Sequence, residues 1–214
     1  MIRTAFDYFD EIYLINLDSR KDRLEKAMAS FSKLGIEHRV IRFPGIVPES
    51  GTGALGCLMS HVAIIEQAKT KGLKNVLIFE DDVQFLNIES IAPAIEQLGE
   101  KKWALYYMGY NSHSPLNSVS KNLLKLTKCY SAHAIAYNSI IFDYISCEAK
   151  KKKINIIDVW LANNIQTKFE CFGNYPITAT QVPSYSDIEK KQVNYEFIIS
   201  RFIENTKHLV KKNR

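Results

Sequence analysis

The sequence is poor in cysteine and has no long apolar segment. Its four cysteines, Cys57, Cys129, Cys147 and Cys171, are too widely spaced for a zinc knuckle or a redox pair. We therefore expect buried free thiols. No apolar run approaches the roughly 20 residues that a transmembrane helix needs, so the sequence argues against a membrane-spanning protein.

The amino terminus also lacks the pattern of a secretory signal peptide. Acidic residues interrupt the first stretch, MIRTAFDYFDEIYLINL. We expect a cytoplasmic protein, and the basic carboxyl terminus would allow peripheral contact with the cytoplasmic membrane face. The net charge of +5 suits anionic small molecules, phosphates or an acidic membrane surface, but it is too small to indicate nucleic acid. Nothing in the sequence fixes the oligomeric state.

Strand patterns alternate with helix patterns along the chain, which is typical of one α/β domain with a mostly parallel sheet. The segment at residues 75–79 is apolar throughout, so we expect a central strand that is covered on both faces. Strand patterns occur at residues 11–17, 37–43, 75–79, 103–108, 129–138 and 175–181, and helix patterns at residues 18–34, 54–72, 91–98, 139–149, 157–166 and 193–210.

Local signals mark the ends of the first long helix. Ser19 and Asp22 have capping-box spacing and predict its start. Gly35 predicts its end, because glycine readily adopts the left-handed conformation that closes a helix. Residues 109–122 are polar and predict a loop.

Three adjacent carboxylates, Glu80, Asp81 and Asp82, directly follow the apolar strand. In an open α/β sheet, ligands bind beyond the carboxyl ends of the strands. Neighbouring carboxylates repel one another, and a hard cation such as Mg²⁺ or Mn²⁺ would relieve that repulsion. We expect Glu80 and Asp82 to hold this metal, which leaves Asp81 free for a ribose or a backbone group. The alternative is a solvent-facing strand end.

Other candidate ligand-binding residues lie near the same predicted edge of the sheet. Arg20 and Arg23 follow the first strand and could bind a diphosphate or carboxylate, or else lie on a solvated helical turn. A glycine-rich loop at residues 51–56 leads into a helix, where backbone amides suit an anion. Ser60 and His61 lie on the first turns of that helix, although His61 could equally be a packed histidine.

Three sequence blocks together resemble glycosyltransferase family 25, which includes bacterial lipo-oligosaccharide galactosyltransferases and collagen galactosyltransferases. The blocks are I-N-L-x-x-R-x-x-R at residues 15–23, G-x-x-G-C-x-x-S-H at residues 53–61, and an acidic strand end at residues 79–82. A looser resemblance extends to about residue 190.

The resemblance implies a single-domain GT-A-like fold, a UDP-sugar donor, a divalent metal (Mn²⁺ or Mg²⁺) and inversion at the anomeric carbon. It implies that Asn16, Leu17 and Arg20 line the nucleotide site and that the acidic block holds the metal. Residues 1–110 would then bind nucleotide and metal, residues 111–190 would face the acceptor, and an amphipathic helix would follow at residues 193–210.

An inverting transfer needs a carboxylate that acts as base for the acceptor hydroxyl. Asp158 is the first candidate, since Trp160 beside it offers an aromatic face for a sugar, although Asp158 could instead cap a helix. Asp187 is the competing candidate, and His113 is a further polar group on the acceptor side.

The expected function is transfer of a hexose from a UDP-sugar to a glycan, lipo-oligosaccharide or glycoprotein. Two alternatives stay open. One is a nucleotidyl- or phosphotransferase that uses the same metal and diphosphate arrangement. The other is a non-catalytic carbohydrate-binding module. The sequence does not fix the sugar, the linkage or the acceptor.

Overall fold

The computed structural model describes residues 2–186, 191–193 and 196–212. The helices are α1 (Ile2–Ala5), α2 (Lys21–Leu34), α3 (Gly53–Thr70), α4 (Ile91–Gly99), α5 (Phe142–Lys150), α6 (Ile157–Asn164) and α7 (Glu196–Lys212). The strands are β1 (Glu11–Asn16), β2 (Val40–Pro44), β3 (Asn75–Glu80), β4 (Val83–Phe85), β5 (Leu105–Tyr107), β6 (Asn111–Ser112), β7 (Asn117–Ser120), β8 (Leu123–Lys125), β9 (Cys129–Tyr130), β10 (Ala134–Asn138), β11 (Cys171–Asn174), β12 (Ala179–Gln181), β13 (Ser184–Ser186) and β14 (Lys191–Val193). Short 3-10 helices occur at Phe6–Tyr8, Glu37–Arg39, Ile88–Ser90 and Ser139–Ile141.

The described residues form an eight-stranded mixed sheet with strand order β2-β1-β3-β10-β5-β11-β8-β7. The first three strands are parallel to one another. Strand β10 runs antiparallel to both of its neighbours, and β8 is antiparallel to β11 and β7. Strands β8 and β10 therefore oppose the rest of the sheet, and the expected mostly parallel α/β sheet is confirmed.

Strand β3 is covered on both faces, as its uniform apolar sequence predicts. Its side chains alternate between two cores because successive residues of a strand point to opposite faces. Val76 and Ile78 join one core, with α3, α5 and α6, whereas Leu77 and Phe79 join the other, with α2 and α4. All four are fully buried. The domain is thus a three-layer α/β/α sandwich.

The topology brings several chain segments to one edge of the sheet. Strands β1, β2 and β3 are parallel, so their carboxyl ends lie together at Asn16, Pro44 and Glu80. The amino end of β10 lies at the same edge because that strand is reversed, and the amide of Glu80 donates to the carbonyl of His133 at 2.9 Å.

The start of α2 differs from the sequence prediction. Helix α2 begins at Lys21 with Arg20 as its N-cap residue, and no side chain caps it. The capping box predicted from Ser19 and Asp22 is therefore wrong, because Asp22 bonds to the guanidinium of Arg20 instead. The predicted end is confirmed, since Gly35 adopts a left-handed φ of 71°.

The predicted loop at residues 109–122 contains two short strands, β6 and β7. Strand β7 lies at the sheet edge, and three of its four residues are exposed, so it carries no apolar pattern. Strands β8 and β11 also lie outside the sequence-predicted elements. They are three and four residues long, too short to show a period.

The cysteines only partly follow the prediction of buried thiols. Cys129 and Cys171 are buried, but Cys57 is half-buried and Cys147 is exposed. All four are free thiols.

None of the helices among the described residues is both long enough and apolar enough to cross a bilayer.

Candidate functional site

A cavity of about 580 Å³ opens at the carboxyl-end edge of the sheet. Its walls come from the ends of β1 and β3, the loop between β2 and α3, and the first turns of α3. Leu17, Arg23 and all three carboxylates of the acidic triplet line it. A cavity therefore lies at the edge of the sheet where the sequence predicted a ligand site.

Successive side chains at the end of β3 point to opposite faces of the sheet, so the carboxylates of the acidic triplet meet different partners. Glu80 continues the side of β3 that faces α3, and Asp81 continues the side that faces α2. Asp81 accepts hydrogen bonds from Arg23 NH1 at 2.9 Å and from Asn16 Nδ2 at 2.7 Å. Asp81 is thus already paired, not free as expected, and its contact with a ribose stays a prediction.

Glu80 lies against two side chains of α3. Cys57 Sγ donates to Glu80 Oε1 at 3.2 Å, and His61 Nε2 lies 3.5 Å from the same oxygen. Burial alone would raise the pKa of Glu80, but His61, Cys57 and His133 together lower it. Glu80 is therefore held as an anion at the cavity wall.

Asp82 has the weaker set of partners: Arg23 NH1 lies 4.0 Å from its Oδ2. Gln181 Nε2 donates to its Oδ2 at 3.2 Å, whereas Oδ1 is buried and has no hydrogen-bond partner among the described residues. Burial, together with the neighbouring charge of Glu80, raises the pKa of Asp82 to about 7. Hard oxygen donors, one of them without a partner, fit a divalent cation of the magnesium or manganese type.

The two arginines predicted to bind a diphosphate differ in position. Arg23 lines the cavity through its ion pair with Asp81. The Nε of Arg20 instead donates to Oδ1 of Asp22 at 3.0 Å. The backbone carbonyl of Arg20 accepts a hydrogen bond from Asn16 Nδ2 at 2.9 Å. Asn16 itself is almost fully buried and ties the end of β1 to the start of α2.

Ser60 and His61 are both buried within α3 and its surroundings. The hydroxyl of Ser60 donates to the carbonyl of Gly56 at 2.8 Å and accepts from the amide of Ile46 at 2.9 Å. Ser60 thus holds the cavity loop against the helix. His61 Nδ1 lies 3.0 Å from the Tyr137 hydroxyl, so His61 supports Glu80 from behind the cavity wall.

The acceptor-side candidates Asp158 and His113 have different surroundings, and neither is among the described residues that line the cavity. Asp158 lies in the first turn of α6, and its two oxygens accept from the amides of Ser131 at 3.1 Å and Val159 at 2.7 Å. His113 packs against Tyr130 and bonds to Arg201 on α7. Asp187 lies outside the described residues. The role of base stays a prediction for Asp158 and Asp187.

Residues 49–157, about half of the chain, match the family model described as "Glycosyltransferase family 25 (LPS biosynthesis protein)". The matched region contains the first turns of α3, strand β3 and the acidic triplet. The chain belongs to glycosyltransferase family 25.

Curated family 25 relatives carry different descriptions. The human "Inactive glycosyltransferase 25 family member 3" is 33% identical over 137 residues, which span 50% of this chain and 23% of the relative. Human "Procollagen galactosyltransferase 2" is 27% identical over 130 residues, 47% of this chain and 21% of the relative. The chain therefore matches less than a quarter of the length of these relatives.

Solved structures of low sequence identity support the fold of this family 25 chain. A glycosyltransferase involved in the glycosylation of the major capsid of PBCV-1 aligns with a TM-score of 0.53 at 10% identity, over 84% of this chain and 95% of that one. A197 from STIV aligns with a TM-score of 0.50 at 9% identity, over 85% and 91%. These likenesses bear on the fold, which is GT-A-like.

Two cavity residues of this family 25 chain were missed by the sequence reasoning. Gln181 reaches Asp82 from β12, and no local signal in the sequence connects the two. For Cys57 the sequence predicts only a buried free thiol. Its position four residues before His61 could have revealed it, because residues at that spacing share one helix face.

Proposed function

We propose that the protein is a metal-dependent glycosyltransferase that moves a hexose from a UDP-sugar to a glycan, lipo-oligosaccharide or glycoprotein acceptor with inversion. The observation that carries the proposal is the buried, unpartnered Oδ1 of Asp82 beside Glu80 at the wall of the cavity. Two carboxylates placed together in this way suit a metal–diphosphate ligand.

The donor side of the cavity combines apolar and cationic groups. Leu17 and the loop at residues 45–48 supply apolar wall, and Arg23 places its guanidinium at the wall beside Asp81. A nucleoside diphosphate matches this combination, since its base needs apolar contact and its phosphates need cationic partners. Thr52 and Gly53 at the start of α3 line the same space, and the backbone amides of a helix start suit a phosphate oxygen.

Glu80 and Asp82 would hold the divalent cation. When bound, the cation would neutralise negative charge that develops on the leaving diphosphate. Arg23 would orient the diphosphate, and the loop fixed by Ser60 would exclude water from one side of the donor. A carboxylate on the acceptor side, Asp158 or Asp187, would take the proton of the attacking hydroxyl.

The test is a thermal-unfolding screen of individual nucleotide sugars, each with and without Mn²⁺. We expect one UDP-sugar to raise the melting temperature only when Mn²⁺ is present. Asp82→Asn should abolish that rise and sugar transfer. The control, Asp143→Asn, removes an exposed carboxylate that pairs with Lys69 on α3, and it should leave both unchanged.

Several results would contradict the proposal. Full sugar transfer in excess chelator would show that the reaction needs no divalent metal. Turnover of nucleoside triphosphates without a sugar acceptor would instead indicate a nucleotidyl- or phosphotransferase. Mn²⁺-dependent UDP-sugar binding without transfer to any glycan acceptor would indicate a non-catalytic module; the human relative is described as inactive.

A further inference from the structure

A mixed cluster of sulfur, nitrogen and oxygen ligands lies at the cavity wall beside the proposed site of the hard cation. It consists of Cys57, His61 and Glu80, whose potential ligand atoms all lie within 4.8 Å of one another. Cys57 and Glu80 line the cavity, and His61 lies directly behind them. The function proposed above uses Glu80 but gives no role to the thiol.

The helix and its packing preorganise the cluster. Cys57 and His61 are four residues apart on α3 and therefore lie on the same helix face. His61 is fully buried, and its Nε2 makes no hydrogen bond among the described residues although it points at Glu80. A buried nitrogen whose nearest partner is a carboxylate oxygen 3.5 Å away is poorly satisfied, and a metal ligand bond would satisfy it.

The distances suit tetrahedral coordination. Cys57 Sγ and His61 Nε2 lie 3.2 and 3.5 Å from Glu80 Oε1. Ligands bound to zinc at about 2.0–2.3 Å in a tetrahedron lie roughly 3.3–3.5 Å apart. Two of the three ligand–ligand distances therefore already match the edges of such a tetrahedron, the third lies within 4.8 Å, and Cys57 and Glu80 face the cavity.

The second ring nitrogen of His61 is also suitably placed. A metal at Nε2 requires the proton to sit on Nδ1, and the Tyr137 hydroxyl 3.0 Å away can accept it. Zinc-binding histidines commonly donate their other N–H in this way, which fixes the ring.

We propose that Cys57, His61 and Glu80 form a binding site for a thiophilic divalent cation, with Zn²⁺ as the natural ligand. Thiolate and imidazole favour zinc over magnesium or manganese, whereas Glu80 and Asp82 together favour the harder ions. Because Glu80 belongs to both sets, one cation excludes the other. On the function proposed above, Zn²⁺ is therefore an inhibitor that withdraws Glu80 from the catalytic metal.

Binding releases the thiol proton of Cys57 and requires His61 to be neutral with its ring proton on Nδ1. In the metal-free protein the Cys57 thiol donates to Glu80. When the S–Zn bond forms, the thiol proton leaves to solvent or buffer and the sulfur becomes a thiolate ligand. No oxidant or reductant takes part.

The test uses Co²⁺ as a spectroscopic substitute for Zn²⁺, with the full chain, metal-free, under a reductant that binds no metal and without any nucleotide sugar. We expect one equivalent of Co²⁺ to give a sulfur-to-cobalt charge-transfer absorption that Zn²⁺ then abolishes. Cys57→Ser should lose the band. Cys147→Ser, which removes an exposed thiol, should retain it.

Two further variants separate this site from the hard-cation site and from misfolding. Asp82→Asn should keep the band, since Asp82 is outside the cluster. Tyr137→Phe should fold and bind Zn²⁺ about 10-fold more weakly, as loss of the outer hydrogen bond does elsewhere. Circular dichroism and unfolding of each variant confirm that it is folded.

The Co²⁺ experiment contains no sugar donor, so its result does not depend on whether the proposed glycosyltransferase function is correct. Absence of the band in the wild-type protein, or its persistence in Cys57→Ser, would overturn the site. If the site stands, Zn²⁺ should also reduce Mn²⁺-dependent UDP-sugar stabilisation in the wild-type protein but not in Cys57→Ser. If Zn²⁺ reduced the UDP-sugar stabilisation equally in the wild-type protein and in Cys57→Ser, the proposed competition for Glu80 would be wrong.

Discussion

Arg23 and Asp81 form an ion pair that joins the first turn of α2 to the end of β3. The guanidinium NH1 lies 2.9 Å from Oδ1, and only 13% and 9% of the two side chains are exposed. The pair keeps one carboxylate of the triplet turned away from Glu80. It therefore sets which carboxylates of the triplet remain available to a metal.

Removing the arginine should destabilise the protein. Arg23→Gln leaves the nearly buried charge of Asp81 without its cationic partner, and we expect a loss of about 3 kcal/mol in the free energy of unfolding measured with urea. Lys125→Gln breaks an ion pair with Glu170 that is 42% and 52% exposed, and it should cost less than about 1 kcal/mol.

A double variant tests whether the unpaired charge of Asp81 causes the loss of stability in Arg23→Gln. Adding Asp81→Asn to Arg23→Gln removes the unpaired charge, so part of the stability should return. If the double variant is as unstable as the sum of the two single variants, the cost arises from packing of the arginine stem and the electrostatic explanation is wrong.

Gly56 is expected to set the shape of the cavity. A Cβ there would lie 2.4 Å from the carbonyl oxygen of Ile46, so Gly56→Ala must displace the backbone of the cavity loop. We expect weaker UDP-sugar binding in calorimetry by about 10-fold or more, which corresponds to about 1.4 kcal/mol. Gly99→Ala is the matched control, because its Cβ meets only the ring of Tyr8 at 3.5 Å.

Equal donor affinity for Gly56→Ala and the wild-type protein would show that the loop accommodates the methyl group without affecting the donor. The expectation that Gly56 sets the shape of the donor site would then be wrong.

Asp158 is the next position to test. Asp158→Asn should lower turnover by about 10²–10⁴-fold, the usual contribution of a general base, with donor affinity unchanged. The amide side chain keeps one oxygen for the amides of Ser131 or Val159, so the melting temperature should change little. Asp143→Asn again serves as the exposed control.

Near-normal turnover in Asp158→Asn together with loss of activity in Asp187→Asn would assign the base to Asp187. Asp158 would then serve to fix the Ser131 backbone against α6.

His133 should make stability depend on pH. Burial lowers the pKa of His133 to about 4, although the charge of Glu80 opposes this. The unfolded chain, with an ordinary histidine pKa near 6.5, therefore takes up the proton first. The stability linked to His133 is complete above about pH 6.5 and is lost as the pH falls from 6.5 towards 4.

The metal-free wild-type protein should thus lose about 2 kcal/mol more than His133→Gln between pH 7.5 and pH 5 in urea unfolding. His38→Gln, at an exposed position, should keep the wild-type pH dependence. Parallel stability curves for the wild-type protein and His133→Gln would mean that His133 protonates without cost in the folded state.

The features that the sequence determined by itself are local ones. Apolar periodicity is a property of neighbouring residues, so it correctly indicated β1, β3 and the long helices α2 and α3. It also placed the acidic triplet at the carboxyl end of a central strand. Gly35 closed α2 as predicted because its conformational freedom is intrinsic to the residue. The short strands β6 and β7 were not predicted because two and four mostly polar residues carry no apolar period.

The tertiary structure alone decided which partner each carboxylate takes. Asp81 meets Arg23 from 58 positions away, Glu80 meets Cys57 from 23, and Asp82 meets Gln181 from 99. Such pairs depend on the order of strands in the sheet and on which face each helix covers, and no local pattern encodes either. The same packing placed the Cys57 thiol and the buried His61 on one carboxylate, because α3 crosses the face of β3 toward which Glu80 points.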